Sequence, residues 1–99
     1  MAHLRVSRKA RRDLVEIFAY IAEDNLDAAR RTNAKLVATF GTIAKQPGAG
    51  RERPELDVGI YSLPVGSHVI YYRHVQSVVR VLRVLHGARD IPALLGPSD

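Results

Sequence analysis

The stretch Ser67–Asp90, SHVIYYRHVQSVVRVLRVLHGARD, limits most sharply what this chain can fold into. A β-branched and aromatic run, Val69-Ile70-Tyr71-Tyr72, is followed after a four- or five-residue connection by Val78-Val79-Arg80-Val81-Leu82-Arg83-Val84-Leu85, the sequence form of an antiparallel hairpin. The second run is nearly continuously apolar, which predicts a strand inside a sheet with at least one face fully packed. Side chains alternate along a strand, so Arg80 and Arg83, an odd number of positions apart, are expected on opposite faces. One of them then leaves the core side for solvent or a partner.

Such a hairpin needs a cover, and the upstream chain supplies helical periodicity. Leu4 and Val6 alternate with His3 and Arg5 as a short strand, and Ser7 stands where a helix N-cap belongs. From Ala10, the apolar positions Leu14, Ile17, Phe18 and Ile21 draw one stripe down a helix of about four turns. Opposite it lie Arg8, Arg11, Arg12, Asp13, Glu16 and Glu23. The basic residues crowd the first turns and oppose the helix dipole by on the order of a few tenths of a kcal/mol each, which points to a use outside helix stability. Asn25 or Asp27 caps a second helix with the stripe Ala29, Leu36, Val37, Phe40, Ile43 and Ala44, ending at Gln46 ahead of Pro47. The short connection makes the two helices antiparallel.

The segment Pro47–Pro54 reads as a loop without periodicity, and it lacks the lysine, hydroxyl and following helix of a phosphate loop. Val58–Leu63 alternates as a strand that Pro64 closes, and Gly66 turns the chain into the hairpin. Beyond Gly87, Ile91-Pro92-Ala93-Leu94-Leu95 reads as one short helical turn. The expected fold is therefore α+β over one domain, residues 1–99. It has a short N-terminal strand, an antiparallel two-helix hairpin packed on a three- to four-stranded, mainly antiparallel sheet, and a short C-terminal helical turn.

Composition narrows the chemistry. The absence of cysteine excludes a disulfide framework and thiolate metal sites. A net charge of +5 favours an acidic partner, either nucleic acid or protein. No apolar run approaches the roughly 20 residues of a membrane span and the N-terminus has no signal-peptide core, so no membrane role and a cytoplasmic location are expected. His3, His68, His74 and His86 are the side chains that titrate near neutral pH. His68 and His86 fall on adjacent strands, but no third ligand accompanies them, and no metal or cofactor is expected. A metal-free nuclease needs a base, an acid and cations. His68, His86, Arg73, Arg83, Arg89 and Glu55 have the right types, without a spacing that brings them to one place.

The element order and the ending Leu82-Arg83-Val84-Leu85-His86-Gly87-Ala88-Arg89-Asp90 resemble the RelE/ParE superfamily of toxins from bacterial toxin–antitoxin pairs, most closely its ParE branch. Also carrying the resemblance are Leu4-Arg5-Val6-Ser7 with Ala10 and Asp13-Leu14, Gln46-Pro47-Gly48-Ala49-Gly50, Arg53-Pro54-Glu55-Leu56 and Gly66-Ser67-His68-Val69-Ile70-Tyr71-Tyr72-Arg73. In the RelE-like branch, which cuts messenger RNA on the ribosome, the middle strand typically reads Arg-Leu-Val-Tyr, with the arginine on the scissile phosphate. Here His68-Val69-Ile70-Tyr71 stands in that place, and no Tyr, Lys or Glu follows His86.

ParE-like toxins, by the same resemblance, bind DNA gyrase, stall it with cleaved DNA and catalyse no reaction themselves, a behaviour associated with plasmid stabilization. The resemblance implies a hetero-oligomer with a ParD-like antitoxin, whose acidic C-terminal segment folds onto the toxin, and contact with DNA only through that antitoxin. Val15, Tyr20, Tyr61, Arg73 and Arg83 are the expected antitoxin contacts, and Arg89, Asp90, Ile91, Leu94 and Leu95 the expected gyrase contacts. No residue is expected to be catalytic. The alternatives are a ribosome-dependent ribonuclease using His68, Arg73, His86 and Arg89, and a non-toxic member acting in an autorepression complex.

Overall fold

A computed structural model describes residues 1–87 of the chain. The first strand, β1 (His3–Val6), ends at Ser7, whose backbone stays extended while its side chain starts the first helix, α1 (Arg8–Ala22). Ser7 Oγ accepts from the Ala10 N–H at 3.0 Å and donates to the Leu82 carbonyl at 2.9 Å, so one hydroxyl caps the helix and ties its start to the sheet. The second helix, α2 (Leu26–Lys45), is capped by Asn25, whose Oδ1 accepts from the Ala28 N–H at 3.0 Å. Asp27 sits in the first turn, where a carboxylate suits the helix dipole.

A 3-10 turn (Pro47–Ala49) and the two-residue strand β2 (Arg51–Glu52) follow, where the sequence indicates an irregular loop. Then come β3 (Ile60–Val65), β4 (His68–Val75) and β5 (Val78–His86). β3 runs through Pro64 instead of closing there. β2 pairs only with Tyr61 and Ser62, so at Pro64 the strand has a neighbour on one side and a residue without an N–H is tolerated. Among the described residues the sheet has five strands in the order β1-β5-β4-β3-β2, more than the three to four expected. All pairs are antiparallel except β1 with β5. β5 is thus an interior strand, as its continuous apolar run requires.

The core lies between the helices and one face of the sheet. Ala10, Leu36, Phe40 and Ile43 meet Val65, Ile70, Tyr72, Val79, Val81 and Val84. Fully burying a side chain such as Leu36, Ile43 or Ile70 contributes about 1.5–3 kcal/mol. Val37, placed in the α2 stripe by its spacing, is 48% exposed because Leu36 takes the inward position beside it. No helix among the described residues is long and apolar enough to cross a membrane.

Two features of the hairpin differ from the pattern of alternation. Only Gln76 and Ser77 connect β4 to β5, and Gln76 adopts a left-handed backbone with φ 55°, so both strands are longer than the apolar runs that announce them. The β4–β5 register also shifts between Tyr71 and Tyr72: Tyr71 faces Arg83 and Tyr72 faces Val81, which leaves Leu82 as an extra residue. Arg80 and Arg83 therefore register opposite Arg73 and Tyr71, two β4 residues of the same parity. The expectation that an odd separation puts the arginines on opposite faces fails because of this inserted residue. The helical turn expected over Ile91–Leu95 lies outside the described residues.

Candidate functional site

Asp13 is the residue from which the candidate site is built. It lies three positions after Ala10 and four before Ile17, which turns it inward, and it is only 6% exposed instead of lying opposite the stripe. β1 pairs with β5 only as far as Val81, so among the described residues the Val84 N–H has no strand partner on that side. Asp13 supplies the missing acceptor. Its Oδ2 accepts from the Val84 N–H at 3.0 Å and from Arg83 Nε at 2.8 Å, and its Oδ1 accepts from Arg83 Nη2 at 2.8 Å. This bidentate bond, the main cause, pushes the Arg83 pKa up and keeps the guanidinium charged. Arg83, expected to meet an antitoxin, thus commits its fork to α1.

Asp13 also borders a cleft of about 690 Å³ between α1 and the Gly66 end of the hairpin. Glu16 and Tyr20 line the helix side, and Ser67, His68 and His86 the sheet side. His68 and His86 are register partners, with ring centroids 5.6 Å apart and planes at 88°. Burial, and secondarily the neighbouring His86, lowers the His68 pKa below the ordinary histidine value, so its imidazole is neutral near pH 7. A neutral imidazole can accept a proton. No lysine or arginine lines the cleft among the described residues, and a phosphate entering it would meet the Asp13 and Glu16 carboxylates.

The other expected residues are placed elsewhere. Arg73 stands roughly 17 Å from His68 along the same strand. There it donates to Asp57 Oδ2 at 3.2 Å and to the Val58 carbonyl. Glu55 accepts from Arg53 Nε at 2.6 Å, and Arg53 Nη1 donates to Ser62 Oγ at 3.1 Å. The structure therefore brings His68 and His86 together, without Arg73 or Glu55. On α1, Val15 is 68% and Tyr20 77% exposed, and of the expected antitoxin contacts only Tyr20 borders the cleft. Tyr61 is half-buried and stacks on Tyr72 with centroids 5.3 Å apart. Arg89, Asp90, Ile91, Leu94 and Leu95 lie outside the described residues.

Asp13, Glu16 and Ser67 are the cleft residues that sequence reasoning leaves unmarked. For Asp13 the signal is present, because a carboxylate at stripe spacing is an inward carboxylate and needs a buried donor. Glu16 and Ser67 carry no comparable signal.

Comparison with known proteins defines the class first. The chain superposes on a chain of the chromosomal ParDE toxin–antitoxin system of P. aeruginosa with a TM-score of 0.73 and 21% identity, over 87% of this chain and 96% of that one. It also matches a chain of the RelBE2 toxin–antitoxin complex of Mycobacterium tuberculosis with a TM-score of 0.57 and 29% identity, over 86% of this chain and 96% of that one. Two helices on a mixed sheet are thus a fold shared with toxin–antitoxin proteins. At the level of sequence, it is 36% identical to Toxin ParE1 of Caulobacter vibrioides over 97% of this chain and 100% of that protein. Toxin RelE1 of the same organism is 33% identical over 83% of this chain and 89% of its own. The family model for the ParE toxin of the type II toxin–antitoxin system parDE matches residues 4–91. The chain belongs to this ParE toxin family.

Proposed function

We propose that this protein stops DNA replication by binding DNA gyrase and stalling it with cleaved DNA, making and breaking no bond itself. A ParD-like antitoxin holds it inactive in a cytoplasmic hetero-oligomer. The observation that carries this reading is the charge of the cleft. Cutting RNA needs cations on the scissile phosphate. His68 and His86 instead share the cleft with Asp13 and Glu16, and Arg83, on the same strand as His86, is held by Asp13. Similarity to Toxin ParE1 supports the same branch.

The antitoxin surface follows from exposure and charge. Val15 and Tyr20 are the apolar anchors we assign to an acidic segment that folds on binding, with Tyr61, Arg73 and Arg83 at its margins. Gyrase is assigned to the C-terminal residues Arg89, Asp90, Ile91, Leu94 and Leu95. In the test, purified toxin is incubated with gyrase and supercoiled plasmid, and linear DNA is scored after protein digestion. Accumulation of cleaved plasmid is expected, and intact plasmid at saturating toxin contradicts the proposal.

One observation favours a second reading. The lowered His68 pKa leaves a neutral imidazole suited to act as a general base, so a ribonuclease would use His68 with His86. Truncated messages appearing before any DNA damage signal would select it.

A further inference from the structure

A second pocket, of about 520 Å³, lies at the β1 side of the sheet and is lined by His3, Arg5, Ser7, Arg8, Arg11 and Arg80. None of the residues proposed above for gyrase or antitoxin lines it. Arg5 on β1 registers directly opposite Arg80 on β5, and Arg80 registers opposite Arg73 on β4. Three arginines thus occupy one row across three neighbouring strands, with the Arg73 guanidinium turned to Asp57. Like charges placed opposite one another destabilise a sheet, and neither Arg5 nor Arg80 has an acidic partner among the described residues. No carboxylate lines the pocket among the described residues. Arg80 Nε is buried with no acceptor among the described residues. α1 begins at this pocket and has no acidic residue in its first turn, while Arg8 and Arg11 add charge where the helix dipole is already positive.

We propose that this pocket binds the phosphate backbone of DNA, so that the toxin holds nucleic acid with its own residues. This goes beyond the function proposed above, in which DNA is met only through other proteins. An arginine fork matches two phosphate oxygens, the chemistry that Arg5, Arg11 and Arg80 offer together at this pocket. Two features favour a phosphate backbone over an acidic peptide. A peptide that folds on a surface draws affinity from apolar anchors. The apolar residues bordering this pocket, Leu4 and Val6, pack instead against the core. The exposed apolar residues Val15 and Tyr20 do not line it.

Fluorescence anisotropy of a labelled DNA duplex titrated with the full chain, at several salt concentrations, tests the assignment. Wild type is expected to bind, with affinity falling steeply as salt rises. Arg5→Ala with Arg80→Ala should weaken binding by about tenfold or more and reduce the salt slope by about one to two. Arg11→Ala, an exposed helix substitution that leaves the sheet intact, should weaken it severalfold. Arg51→Ala, at the opposite sheet edge, should change it less than about twofold. Absence of wild-type binding at low salt, or an Arg11→Ala protein that binds like wild type, overturns the proposal. So does polyglutamate that displaces the duplex more effectively than chloride of equal ionic strength, which would make an acidic peptide the occupant.

Discussion

Asp13 shows how one side chain can finish a sheet. Its carboxylate closes the edge that β1 leaves open, and it does so with a buried charge that Arg83 and the Val84 N–H compensate. Removing one partner of such a pair leaves the other charge buried and unmatched, so Asp13→Ala should lower stability by about 3–5 kcal/mol. Asp13→Asn keeps one acceptor and should lose less. Urea denaturation followed by circular dichroism measures both. His68 gives a residue-level pH dependence. Its folded-state pKa lies below the unfolded value, so the unfolded chain takes up the proton first as the pH falls. The contribution of His68 to stability is therefore intact above about pH 6.5 and declines below it, through the folded-state pKa. His68→Gln should flatten that part of the urea-midpoint profile between pH 7.5 and 5, and an unchanged slope would contradict the burial argument. Ser7 and Asn25 are legible as caps in the sequence because capping is a local bond between neighbours. The Asp13–Arg83 pair joins residues 70 positions apart, and spacing can mark the buried carboxylate without revealing its donor.

At the scale of elements, periodicity delivers both helices, the antiparallel hairpin and the interior place of β5. It does not deliver the β1–β5 pairing, because a four-residue strand gives no sign of which edge it joins or in which direction. The Leu82 bulge is equally hidden, since an inserted residue looks like any other apolar position in a continuous run. The same limit applies at β2, where a tertiary bond holds the chain in place. Tyr72 Oη accepts from the Gly50 N–H at 2.9 Å and donates to the Pro47 carbonyl at 2.7 Å, which anchors the 3-10 turn and β2 to the centre of the sheet. Tyr72→Phe strands both groups and should cost about 1–3 kcal/mol. Gly50→Ala should destabilise as well, because a Cβ there would stand 2.7 Å from Tyr72 Oη and 2.8 Å from the Ser62 carbonyl. Hydrogen exchange should show the loss concentrated in β2 and β3, and uniform loss across the sheet would contradict this local anchoring.

For the whole molecule, the net charge of +5 is divided between surfaces of different character. A cleft with carboxylates and paired imidazoles faces one way, and a row of arginines lies at the β1 edge. The sequence shows the total charge and the crowding of Arg8, Arg11 and Arg12, but the joining of Arg5 to Arg80 requires the parallel pairing. If separate surfaces serve antitoxin and gyrase, a chain ending at Gly87 should still bind antitoxin while losing gyrase inhibition, measurable by calorimetry and plasmid supercoiling. Loss of both together would merge the surfaces. The sharpest discrimination comes from one protein, His68→Ala with His86→Ala, checked for folding and assayed beside wild type for gyrase-dependent plasmid cleavage and for cleavage of translated messages. Undiminished plasmid cleavage and intact messages are expected from both proteins; message cleavage by wild type that disappears with the imidazoles would contradict a toxin that works by binding alone.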